Sequence, residues 1–228
     1  MSFLETFLFG YYPYVCAVVF VVGCIARYRS EPTSWQAGSS QILSGKGFAL
    51  ASNLFHAGVL GLLGGHIGGL LVPIELGHRF GVTDSMHQWM ELVMGSICGI
   101  TCWVGLTLLL TRRLRDPRVR QAARSTDLGI VLLLWVTLVA GLATLPFSFQ
   151  TRNEATFLIA LNQWAQAVIT FHPEAAAKAA QAPLAFQVHV VLGMTVFLVV
   201  PFTRLVHACS APLGYLLKSH RQIVRRAA

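Results

Sequence analysis

Four histidines sit where histidine is costly. Of the eight in this 228-residue sequence, His56, His66, His189 and His207 interrupt long apolar runs. An ionisable group at membrane depth is expensive and usually has a partner or a function. For any one of them, a hydrogen-bonded structural role is the ordinary explanation. Four, placed two and two in separate runs, make coincidence a poor explanation. Neutral imidazole is a metal ligand, and two imidazoles opposed across a helical bundle make a bis-histidine haem site.

The elements that must position these side chains are membrane spans. The sequence is 55% hydrophobic and only 11% charged, against about 25% charged in a soluble domain. Five runs, Phe7–Ile25, Phe48–Val72, Leu92–Leu110, Leu128–Phe149 and Leu184–Val206, approach or exceed the ~20 apolar residues that cross a bilayer as a helix. Their hydrophobicity is unbroken, whereas barrel strands alternate and are about half as long. The expected fold is therefore an all-α integral membrane protein, a bundle of five transmembrane helices forming one domain over residues 1–228. The first run is read as a retained anchor. Glu5 precedes it and Arg27 and Arg29 follow it, the reverse of a cleaved signal's basic start.

The net charge of +8 is explained by topology. Arg27, Arg29 and Lys46 follow the first span. Arg112, Arg113, Arg115, Arg118, Arg120 and Arg124 follow the third, and Arg204, Lys218, Arg221, Arg225 and Arg226 end or follow the fifth. The other two loops carry only Arg79, Arg152 and Lys178. This asymmetry is the positive-inside pattern and sets the N-terminus outside and the C-terminus in the cytoplasm. The basic residues are topology determinants and lipid-headgroup contacts, and nucleic acid is excluded as a partner.

That topology pairs the histidines by depth. Span two runs outward and span five inward. His66 and His189 then share an outer level, and His56 and His207 an inner one. On one straight helix His189 and His207 are five turns and ~27 Å apart on the same face, while His56 and His66 are ~15 Å apart and a quarter turn out of line. Tilt, the glycines of span two and kinking at Pro201 must absorb the mismatch. Gly58, Gly61, Gly64, Gly65, Gly68 and Gly69 serve either close helix packing or flat space for a porphyrin, and both readings stay open.

The remaining features are quieter. Cys16, Cys24, Cys98, Cys102 and Cys209 show no zinc, disulfide or c-type haem spacing and read as small buried hydrophobes. Residues Glu154–Thr170 form an apolar stretch in the longest loop and fit an interfacial helix. His78, His172 and His220 lie in loops or tail. His87 starts span three, at the expected depth of His66, and is either a solvated interfacial histidine or a proton acceptor. Arg112, Arg113 and Arg204 fit haem propionates as well as topology.

The stretches "LASNLFHAGVLGLLGGHIGG", "RRLRDPRVR", "LATLPFS", "WAQAVITFH" and "VHVVLGMTVFLVVPFTRLVH", with "YYPY" and "SSQILSGKG", resemble the gamma subunit of respiratory, membrane-bound nitrate reductase over nearly the whole chain. The resemblance implies a di-haem cytochrome b of the bacterial inner membrane. It implies an inner haem on His56 and His207 and an outer haem on His66 and His189. It further implies a quinol site, for menaquinol or ubiquinol, at Gly65, His66 and His87. His87 stands where the family carries a lysine. The implied partners are an iron–sulfur beta subunit and a molybdenum-containing alpha subunit on the cytoplasmic side. Two competing readings are a di-haem subunit of a sulfite- or heterodisulfide-type reductase and a histidine-based proton or metal transporter. The transporter would favour acidic partners within the spans, where only Glu91 and Asp127 come near, both at span ends.

Overall fold

In lipid, an apolar segment can satisfy its backbone only internally, and the helix does this within one segment. The computed structural model accordingly contains five helices long and apolar enough to cross a membrane: Phe3–Ser30, Phe48–Leu71, Asp84–Arg115, Thr126–Gln150 and Leu184–Phe202. The structure describes residues 2–31, 47–122, 125–172 and 176–210, and among them there is no strand. The motif SSQILSGKG up to Lys46, Arg124, His220 and the basic tail from Lys218 to Arg226 lie outside the described residues.

Span three runs well beyond the apolar core expected for it. Thr83 caps its start by accepting the Met86 amide at its hydroxyl, and Asp84 sits in the first turn. Both favour helix initiation by meeting orphan amides and the positive helix end. Glu91 therefore lies two turns inside the helix, just before the apolar core that begins at Leu92.

Spans two and three pack antiparallel through small residues. A β-carbon on Gly58 would lie 2.7 Å from Cys102 Cα, and one on Gly105 would lie 2.8 Å from the Ala51 carbonyl. Gly61 faces Cys98 and Gly69 faces Glu91 in the same way. These contacts define one continuous register, which sets His66 opposite Met94. Gly64, Gly65 and Gly68 meet nothing. The span-two glycines thus divide by face, one set for packing and one leaving open space.

Two spans depart from regular α-helix at informative places. Directly after His66, residues Ile67–Leu71 form a π-turn, a local widening often found at functional sites. Span five stops being α-helical at Val199. It continues as a 3-10 turn through Pro201, becomes extended at Thr203, and restarts as a 3-10 segment over Arg204–Ser210. His189 and His207 are therefore not on one straight helix. Pro201 has no amide to donate and its ring crowds the preceding turn. Gly23 of span one makes room for that ring, since a β-carbon there would lie 2.7 Å from Pro201 Cβ. One turn on, Arg27 donates to the Pro201 and Thr203 carbonyls at 2.7 and 2.8 Å, satisfying acceptors that the break exposes.

The expected interfacial helix forms over Thr156–Ile169 but is packed into the bundle end, with Leu161, Trp164 and Ala165 buried against Phe9 and Phe186. Its polar residues explain the placement. Asn162 donates to the Gly69 and Val72 carbonyls, Gln166 to those of Leu70 and Leu71, and Trp164 to that of Phe9. This helix caps the end of span two just beyond the π-turn.

Candidate cofactor-binding site

The imidazoles of His66 and His189 face each other across spans two and five, with ring centroids 5.9 Å apart and planes inclined by 46°. A first-row metal about 2 Å from a nitrogen on each of two imidazoles requires centroids roughly 6 Å apart. The spacing thus suits one iron between them. Beside the pair, Gly64, Gly65 and Gly68 leave the open space that a flat macrocycle needs.

Protonation is set by the neighbours. A backbone carbonyl only accepts, so a ring nitrogen bonded to one must carry the proton. His66 Nδ1 donates to Leu62 O at 2.7 Å and His189 Nδ1 to Thr137 O at 2.9 Å. His56 Nδ1 donates to Ser52 O at 2.7 Å and His207 Nδ1 to Arg204 O at 2.5 Å. In each of the four rings the lone pair is therefore on Nε2. This is the arrangement in which a carbonyl bonded to one ring nitrogen orients a metal-binding histidine and raises the basicity of the other. The loop histidines are engaged differently: His78 binds Asp84 through Nε2, and His172 binds the Thr170 hydroxyl.

Span four supplies half of the His189 setting. Thr137 gives the carbonyl, and one turn later Gly141 gives clearance, because a β-carbon at 141 would lie 2.8 Å from His189 Cε1. Neither residue was singled out from the sequence. A glycine four residues after a threonine in an apolar run looks like any other, and its partner lies far along the chain.

His56 and His207 lie toward the arginine-rich end, and no ring contact joins them as one joins His66 and His189 among the described residues. His56 is near the Phe55–Gly105 contact, and Phe48, two turns before it, lies under the Arg112 guanidinium at 4.8 Å. His207 follows the break that Arg27 caps. Close by, Asp127 is 3.7 Å from Arg113 and 3.6 Å from Arg204. Two guanidinium groups thus share one carboxylate, leaving a positive excess at this end that suits an anionic ligand.

His87 does not share the depth of His66. The register places it seven residues nearer the start of span three than Met94, roughly 10 Å along the axis. It continues the stripe of span three, through Glu91, Cys98, Cys102 and Gly105, that packs on span two.

The sequence comparisons decide the family. The model of the nitrate reductase gamma subunit matches residues 5–227. This chain belongs to the nitrate reductase gamma subunit family. It is 41% identical to the respiratory nitrate reductase 1 gamma chain of Escherichia coli (strain K12), over 99% of both chains. It is 39% identical to the respiratory nitrate reductase 2 gamma chain of the same organism, over 99% of this chain and 98% of the relative. Against the nitrate reductase gamma chain of Bacillus subtilis (strain 168) it is 35% identical, over 93% of this chain and 95% of the relative. The gamma subunit is accordingly a multi-pass protein of the bacterial inner membrane, and its five spans are those of an electron-transport oxidoreductase of nitrate respiration.

Proposed function

We propose that this gamma subunit is the di-haem b membrane anchor of a respiratory nitrate reductase, which oxidises quinol near the outer face and delivers the electrons inward. Residues 1–228 act as one membrane domain. Its N-terminus lies outside and its arginine-rich end in the cytoplasm, the orientation that the charge asymmetry favours. His66 and His189 would hold the outer haem, and His56 and His207 the inner one. The observation that carries this reading is the common tautomer of the four histidines, each donating Nδ1–H to a carbonyl and presenting Nε2. A transporter that shuttles protons on these imidazoles would gain nothing from one shared tautomer.

When bound, haem supplies one-electron redox capacity at two depths, and the protein supplies ligands, spacing and a low dielectric. Gly65 offers bare backbone beside His66 where a quinol, menaquinol or ubiquinol, enters from the bilayer. His87 hydrogen-bonds a quinol oxygen and takes a proton toward the outer water. Arg112, Arg113 and Arg204 balance propionate charge at the inner level, with Asp127 holding two of them in place. The cytoplasmic partners are the iron–sulfur beta subunit and the molybdenum-containing alpha subunit, where nitrate is reduced.

The quinol arm is tested in membranes holding the assembled complex, by mixing with a short-chain quinol and following reduction of the b-type signal. His87→Ala is expected to slow that reduction by about 10²-fold while both haems stay bound. Unchanged kinetics would remove His87 from the mechanism.

A further inference from the structure

Glu91 is a carboxyl group inside a membrane span with no bonding partner. Its side chain is half-buried and lies against Gly69 of the π-turn. Among the described residues it makes no hydrogen bond or ion pair. Gln88, one turn before it, is 1% exposed, and its Oε1 also has no hydrogen-bond partner. An unpaired, half-buried carboxyl group in a membrane-spanning helix costs enough that a function is the default explanation.

Its position gives the function. By the register of spans two and three, Glu91 lies level with Gly69, one turn outward of Gly65 and of His66. His87 lies one turn further outward on the same stripe. The three residues His66, Glu91 and His87 thus form a graded series from the outer haem level toward the membrane surface. Quinol oxidation releases two protons, and a single imidazole takes one.

We propose that Glu91 is a catalytic residue of quinol oxidation, accepting the second proton between Gly65 and His87. This rests on the quinol-oxidising reading above. Two quinol O–H bonds break, and the two electrons would leave to oxidised b-type haem, which His66 and His189 would hold. One proton goes to the His87 imidazole and the other to the Glu91 carboxylate. His87 releases its proton to water first, and Glu91 then passes its own outward through the neutral His87 imidazole. The packing of Glu91 on Gly69 places the carboxylate on the inner face of span three, next to the π-turn that widens the end of span two.

The test uses the assembled complex in membranes, with a short-chain ubiquinol or menaquinol as the reductant and dithionite as the control. Glu91→Gln removes the proton acceptor at nearly constant volume. It is expected to slow quinol-driven haem reduction by about 10²-fold, with full haem content and normal dithionite reduction. Glu91→Asp is expected to recover part of the rate. Wild-type kinetics in Glu91→Gln would overturn the proposal, as would loss of the outer haem, which would make Glu91 structural. Should the wild-type complex itself be reduced by dithionite and not by quinol, the underlying quinol reading fails instead.

Discussion

Gly141 and His189 meet across spans four and five so closely that a methyl group at 141 would press on the imidazole, 2.8 Å from its Cε1. The histidine is held in position by the Thr137 carbonyl and by the absence of a side chain one turn later. Gly141→Ala is therefore expected to push the ring off its bond to Thr137 and to remove the outer haem while sparing the inner one. Haem content per chain would halve. Two full b-type signals in this variant would show that the clearance is not needed.

Arg27 makes a parallel prediction at the other end. It joins span one to the Pro201 and Thr203 carbonyls, on either side of the break that leads to His207. Arg27→Met leaves both acceptors without this donor, at a cost of about 1.5–3 kcal/mol for each charge-assisted bond. The expected result is a shifted or lost inner haem signal with the outer one intact. Arg27→Lys, with one compact donor group, should restore it in part.

The glycines of span two separate packing from cofactor space. Gly58→Leu is expected to prevent close approach of spans two and three, because even a β-carbon there would meet the Cys102 backbone, and the protein should be lost from the membrane fraction. Gly64→Leu meets no protein atom in place of its β-carbon. It should leave the protein in the membrane at normal abundance but lower its outer haem content, as read by haem extracted per chain.

The capping helix gives a stability prediction. Asn162 is buried and its amide serves two carbonyls at the end of span two. Asn162→Leu strips both acceptors, at about 1–3 kcal/mol per buried group left unsatisfied. Thermal inactivation of the detergent-solubilised complex should occur at lower temperature, and quinol activity should fall before the inner haem is lost.

The contrast between these residues and the histidines shows what was readable in the sequence. Spans and ligands declare themselves locally: a polar ring is conspicuous in an apolar run, and five such runs give the bundle. Gly141, Arg27 and Asn162 act on residues 48, 174 and 93 or 90 positions away, so no local pattern marks them. The π-turn after His66 and the break after Val199 were equally hidden, although Pro201 signalled a kink. The straight-helix estimate for His189 and His207 missed that Pro201 ends regular helix and that Arg27 and Gly23 accommodate the result. His87 is expected at the depth of His66, but the register of spans two and three, which no local pattern reveals, sets it roughly 10 Å further along the axis.

Haem counting with reduced-minus-oxidised spectra tests most directly whether His66 with His189, and His56 with His207, each hold a b-type haem. The wild-type complex should carry two b haems per gamma subunit. His66→Ala should remove one, His207→Ala the other, and the double variant both. A b-type signal that is absent from the wild type, or that survives at full strength in the double variant, would contradict the account.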